Sequence, residues 1–252
     1  MLTPKSFKVA GADGCKAGWL VVVASPARRS SRLDPGCALE LKRFFVAATF
    51  AEVLSQANDC KLVCVDIPIG LTEGGKPREC DIAARKVLRG RRASSVFPVP
   101  IRPCLSAKDC EMASNISLEH CGKRLNRQSF AILEKIRQVD GLMTPLLQRR
   151  VREIHPEISF WALNNKTPVL SKKKTLAGRV ERIKLLSPIF SDLENFVAKV
   201  RIRDKVAADD VLDAVVAAWT AIKALIGKTK TLPDNPELDS KGLRMEIIYP
   251  AG

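Results

Sequence analysis

Three strand-like runs, a short helix and then one continuous apolar strand open this chain, and that order excludes most α/β folds. Residues 7–24 read as a hairpin: FKVAGAD, a turn over 14–17, then GWLVVVAS. PARRSSRLDPG, 26–36, reads as a polar loop, and ALELKRFFV, 38–46, alternates as a third strand. Residues 49–57 suit a short helix, with Thr49 as N-cap and Glu52 three later. KLVCVDI, 61–67, is a continuous apolar run of the kind buried on both faces. A plain doubly wound fold would alternate strand and helix from the start.

Further on, 79–89 reads as a helix, and 90–125 as irregular, with Pro98, Pro100 and Pro103 close together. A long loop of that kind in a compact domain is usually functional. Helical patterns follow over 128–149 with a break near Pro145, over 178–200 with a break at Pro188, and over 205–226. VREIHPEISF, 151–160, reads as a strand with its exit at Pro156, GKTKTLPDNPELDSKG as a loop, and 243–249 as a last strand. The expectation is an α/β chain with one domain over 1–252 and an insertion over 90–148.

Acids stand at the ends of the buried elements. Asp13 and Asp66 close strand-like runs, while Asp210 and Asp213 lie three apart in AADDVLDAVVAAW. Residues three apart share a helix face, though Asp209 pairs with Asp213 equally well at a spacing of four. Each acid in an apolar helix costs several kcal/mol unless compensated. A divalent cation compensates it directly, and oxygen-only ligands suit Mg²⁺ or Mn²⁺. The competing readings are helix capping for Asp209 and Asp210, a surface ion pair for Asp213, and a simple Asp-Gly turn at Asp13-Gly14. His155-Pro156-Glu157 adds a candidate general base or acid, His155, with Glu157 as ligand or orienter.

Lys+Arg 42 against Asp+Glu 27 gives a net charge of +15, which favours polyanionic partners, nucleic acid above all. Basic residues cluster at Arg89, Arg91 and Arg92, at Arg149, Arg150 and Arg152, and at Lys172, Lys173 and Lys174. Arg91 and Lys174 are the expected phosphate contacts. Nothing near Ser94 and Ser95 resembles G-x-S-x-G, so they are expected at substrate contact rather than as nucleophiles. GADGCKAG lacks the Walker A pattern, and the eight cysteines form no C-x-x-C pair, which excludes zinc spacing. No leader pattern and no run of eighteen apolar residues is visible; a cytoplasmic protein with reduced thiols and no membrane contact is expected.

Several stretches together resemble the family called domain of unknown function 429, a predicted ribonuclease H-like nuclease family. They are GADGC (11–15) with Gly18-Trp19, VDIPIGL (65–71), RECDIAARKVLRGRRASSVFPVPIR (78–102), EKIRQVD (134–140), REIHPEISF (152–160), KKKTLAGRVERIKLL (172–186), DDVLDAVVAAW (209–219) and DSKGLRMEIIYP (239–250). The resemblance implies a ribonuclease H-like core, a mixed five-stranded sheet flanked by helices. The D-x-x-D-A helix also looks like the last catalytic helix of RuvC-type resolvases. On that likeness Asp13, Asp66, Asp210 and Asp213 are the metal-holding acids, and Asp210 is favoured over Asp209. His155 and Glu157 belong to the family's own motif. Ala17 departs from it, standing where Gly is expected. The implied activity is metal-dependent hydrolysis of phosphodiesters in nucleic acid. A non-catalytic nucleic-acid-binding protein and a different phosphoryl-transfer enzyme on the same core stay open. So does a homodimer.

Overall fold

The structure is a computed structural model that describes residues 7–27 and 39–251, apart from the Arg91 side chain. Most of the polar loop expected over 26–36 lies outside the described residues, as do Ala38 and Cys37. The described cysteines are all free.

In chain order, β1 is Lys8–Cys15, β2 Gly18–Pro26 and β3 Leu39–Ala47; then come α1, Phe50–Gln56, and β4, Cys60–Asp66. The middle third holds α2 (Glu79–Leu88), α3 (Cys110–Cys121), α4 (Arg127–Ala131) and α5 (Leu133–Leu142). After it come β5 (Val151–Glu153), α6 (Pro156–Leu163), α7 (Leu176–Leu186), α8 (Leu193–Asp204), α9 (Ala208–Leu225), β6 (Thr229–Leu232) and β7 (Ile247–Pro250). The main sheet has the order β3-β2-β1-β4-β5, and β2 alone runs against its neighbours. This is the expected mixed five-stranded sheet flanked by helices.

Strand alternation decides what each face buries. Val9, Gly11 and Asp13 of β1 share a face with Leu62, Cys64 and Asp66 of β4, because Gly11 pairs with Cys64 and Asp13 with Asp66. That face meets α9, whose buried residues include Val211, Ala214, Val215 and Ala218. The opposite face, with Ala10, Ala12, Val63 and Val65, packs on Phe50 and Val53 of α1 and on Ile136 and Val139 of α5. At Gly11 an added Cβ would lie 2.0 Å from the Ala214 carbonyl oxygen and 2.2 Å from the Ala218 nitrogen. Strand and helix therefore touch backbone to backbone.

The structure corrects four expectations. The run 151–160 is a strand only to Glu153; Pro156 then opens α6 at its first turn, with His155 at the N-cap position. The stretch 90–125 is not wholly irregular. Asp109 accepts a hydrogen bond from Met112 N at 2.8 Å and caps α3, which ends at Gly122 in the left-handed region. The loop expected after α9 contains β6, which pairs antiparallel with β7. The helical pattern over 128–149 splits into α4 and α5. The break at Pro188 falls between α7 and α8, as expected.

Candidate active site

Asp13, two residues before the end of β1, is the Cα partner of Asp66 at the end of the adjacent parallel strand β4, so their side chains leave the sheet side by side. Asp13 lies inside β1, opposite Leu20, and the hairpin turn is Lys16-Ala17, so the Asp-Gly turn reading of Asp13 is wrong. Asp210 and Asp213 stand on the first turns of α9, which packs across both strands. All four acids line one cavity of about 410 Å³, together with Lys135, Lys173, His155 and Glu157. Asp209 is buried outside that lining, and Asp210 takes the place facing the cavity. A larger groove between α7 and α8, of about 700 Å³, holds none of these acids.

Lys173 is the central cation. Its Nζ donates to Asp213 Oδ2 at 2.6 Å. Asp213, with Asp13 and Asp66, holds that ammonium protonated well above the ordinary lysine value, against the opposing effect of burial. The second oxygen of Asp213, Oδ1, is buried and has no hydrogen-bond partner. Such a group costs about 1–3 kcal/mol when left unpaired. Burial, then repulsion from Asp66 and Asp213, pushes Asp13 well above the usual carboxylate range. Burial raises Asp66 to about 7 and Asp210 to about 6, with Asp213 adding to both.

Among the described residues, one set of three potential ligand groups brings its donor atoms within 4.8 Å of one another: Cys80, Asp81 and Glu153. The guanidinium of Arg78 already bridges its two carboxylates. Arg78 Nη2 lies 2.8 Å from Asp81 Oδ1 and 2.7 Å from Glu153 Oε1. No three of the four cavity aspartates bring their donor atoms that close together. Their oxygen donors and the unpaired Asp213 Oδ1 nevertheless fit a hard divalent cation.

The remaining expected residues divide. Burial lowers the His155 pKa and keeps the ring neutral. Its Nε2–H donates to the Ser95 carbonyl at 3.3 Å, which leaves Nδ1 as a buried acceptor without a partner. Glu157 lines the cavity with one oxygen engaged: Arg182 Nη2 donates to its Oε1 at 2.6 Å, and Arg92 pairs with the same oxygen. Burial alone would raise Glu157, but Arg182 and Arg92 outweigh it and hold the group ionised. Ser95 lines the cavity, although its hydroxyl donates to the Arg92 carbonyl at 2.7 Å. Ser94 and Lys174 lie outside the lining, Lys174 exposed, and the Arg91 side chain lies outside the described residues.

Of the run Lys172 to Lys174, it is Lys173 rather than the expected Lys174 that lines the cavity. Thr175 caps α7 through Gly178 N at 3.1 Å and also donates to the Lys172 carbonyl at 2.8 Å, which turns Lys173 inward. Lys135 and Arg182 were missed altogether. Each sits in an ordinary amphipathic helix, where an Arg or Lys reads as surface.

The raised acids have a consequence for pH. A carboxyl whose folded pKa lies above its unfolded value binds its proton more tightly in the fold, so folding stability falls as pH rises between the two values. In a chelator, the urea midpoint is expected to drop as pH climbs from about 4 through about 7, and Asp13→Asn should flatten that slope. An identical pH profile in the variant would mean that burial beside its acidic neighbours does not raise Asp13.

A family model described as "Protein of unknown function (DUF429)" matches residues 11–238. Among solved structures, a Thermus thermophilus RuvC structure is similar over 88% of this chain and 97% of that chain, at 12% identity and a TM-score of 0.35. A likeness that distant assigns no role to any residue here. No curated protein matches the chain.

Proposed function

The chain belongs to the DUF429 family, and from the acids and cations of its cavity we propose that it is a metal-dependent hydrolase of phosphodiester bonds in nucleic acid. The observation that carries this reading is the meeting of Asp13, Asp66, Asp210 and Asp213 in one cavity beside Lys173, with Asp213 Oδ1 unpaired. The same four acids would hold Mg²⁺ or Mn²⁺. A bound ion of that kind supplies an activated water and offsets charge on the phosphoryl group.

The chain's own side chains do the rest. Lys173 and Lys135 offer ammonium groups to the non-bridging oxygens of a phosphate. His155 presents a neutral Nδ1 that accepts a hydrogen bond from water or a ribose hydroxyl. Glu157 serves as an anchor for Arg92 and Arg182 rather than as a ligand. The net charge of +15 favours a polyanionic substrate. Among the described residues no helix is long and apolar enough to cross a membrane.

The test is cleavage of labelled DNA and RNA with Mg²⁺, Mn²⁺ or a chelator. Asp13→Asn is expected to reduce metal-dependent cleavage by at least about a hundredfold, beyond what loss of an outer partner of a metal ligand costs. Cleavage that survives the substitution, or that survives the chelator, sinks the reading.

A further inference from the structure

Two of the four acids lining the pocket are buried, and one wall of the pocket is held in place. Asp13 is 6% exposed and Asp213 0%. One wall is Ser95, Val96, Phe97 and Val99; the next is Ala131, Ile132 and Lys135; His155 and Pro156 close the far side. The first wall is tied at each step. Arg92 pairs with Glu157, and the Ser95 carbonyl accepts from His155. The Val96 carbonyl accepts from Arg85 Nε and Nη2 at 3.1 and 3.0 Å, and the Pro98 carbonyl accepts from Ser129 Oγ at 2.6 Å. A segment held at four successive points is a wall rather than a flap.

A pocket of about 410 Å³ is in the range that encloses one small ligand, roughly 300–1,000 Å³. An intact duplex does not enter such a space, and its stacked interior nucleotides would have to be extruded first. We propose that the pocket takes one nucleotide unit with a free end: the terminal residue of a single strand, or a short oligonucleotide. This rests on the hydrolytic reading above and narrows its substrate. Phe97, 37% exposed on the rim, is placed to stack on the base. Lys135 and Lys173 lie with the acids at the phosphate end. In the reaction water adds to phosphorus, the P–O bond to the neighbouring nucleotide breaks, and that oxygen leaves with a proton.

The SSVF and HPE stretches thereby acquire a purpose that a bare acidic site does not require. They build the wall and anchor it.

The experiment compares a linear single strand, the same sequence closed into a circle, and a blunt duplex, each with Mn²⁺. Shortening of the linear strand from its end, with the circle and duplex left intact, is expected. Opening of the circle at a rate near that of the linear strand overturns the pocket reading and leaves the nuclease reading standing. Phe97→Ala should raise KM for the linear strand about tenfold while the melting temperature stays unchanged; an unchanged KM removes the stacking role. If nothing is cleaved, the hydrolytic reading fails, and binding of a 2-aminopurine dinucleotide in Ca²⁺ decides the pocket. Binding by the wild type that weakens about tenfold in Phe97→Ala supports it, and no binding by either overturns it.

Discussion

Arg78→Met is expected to destabilise the fold by about 3–5 kcal/mol, the range for leaving a buried ion-pair partner uncompensated. Arg78 is 2% exposed, and its guanidinium is saturated by protein groups. Nε and Nη2 donate to Asp81, Nη1 and Nη2 to Glu153, and Nη1 also to the carbonyls of Ile69 and Gly70. Glu153 Oε2 in turn accepts from Ile69 N at 2.6 Å. One side chain thus joins α2, β5 and the segment that leaves β4 just after Asp66. Methionine would keep much of the packing and remove every donor, stranding two carboxylates in the interior. Urea denaturation measures the loss. The double variant Arg78→Met with Glu153→Gln should recover part of it, because most of the cost is the orphaned charge. A single-variant loss under about 1 kcal/mol would show that the carboxylates relax to water and that Arg78 does not brace the exit from β4.

Gly11→Ala is expected to destabilise by more than the roughly 1–3 kcal/mol of ordinary overpacking. The new Cβ would meet Ala214 O at 2.0 Å, Ala218 N at 2.2 Å and Ala217 C at 2.8 Å. All three atoms are helix backbone, so no flexible side chain can yield, and α9 must lift from β1. Asp213 precedes Ala214 and would move with it, away from Asp13. Loss of stability and loss of Mn²⁺ binding should therefore arrive together, by denaturation and by titration. Gly141→Ala is the control: nothing lies within 4 Å of its added Cβ, and the change is expected to be neutral or stabilising. A Gly11 variant as stable as that control would contradict the close contact of β1 with α9.

The parts of this fold legible from sequence are those set by local pattern alone. Alternation and apolar runs identified β1 to β4, and the acids at the ends of β1 and β4 fell where a parallel sheet places its ligands. What stayed hidden depended on a switch within a few residues or on distant partners. His155-Pro156 converts an apolar, strand-like run into the start of a helix, and Ile154, Ile158 and Phe160 suit either period. β6 is only four residues long, carries one lysine, Lys230, and pairs in its sheet only with β7, so nothing local separates it from a loop. Lys173 could not be told from Lys174 without the cap at Thr175. Arg182 reads as a surface residue of α7, yet it is fully buried against Phe160 and Glu157.

Glu157 has one oxygen that serves two guanidiniums, and each leads to a different side of the pocket. Through Arg92 it holds the segment that carries Phe97. Through Arg182, whose Nη1 donates to the Ser171 carbonyl at 3.2 Å, it holds the loop that presents Lys173. The segment carrying Phe97 and the loop carrying Lys173 are therefore joined through a single carboxylate in the pocket lining. The width of the pocket is one variable rather than two, and a disturbance on either rim is transmitted to the other through Glu157.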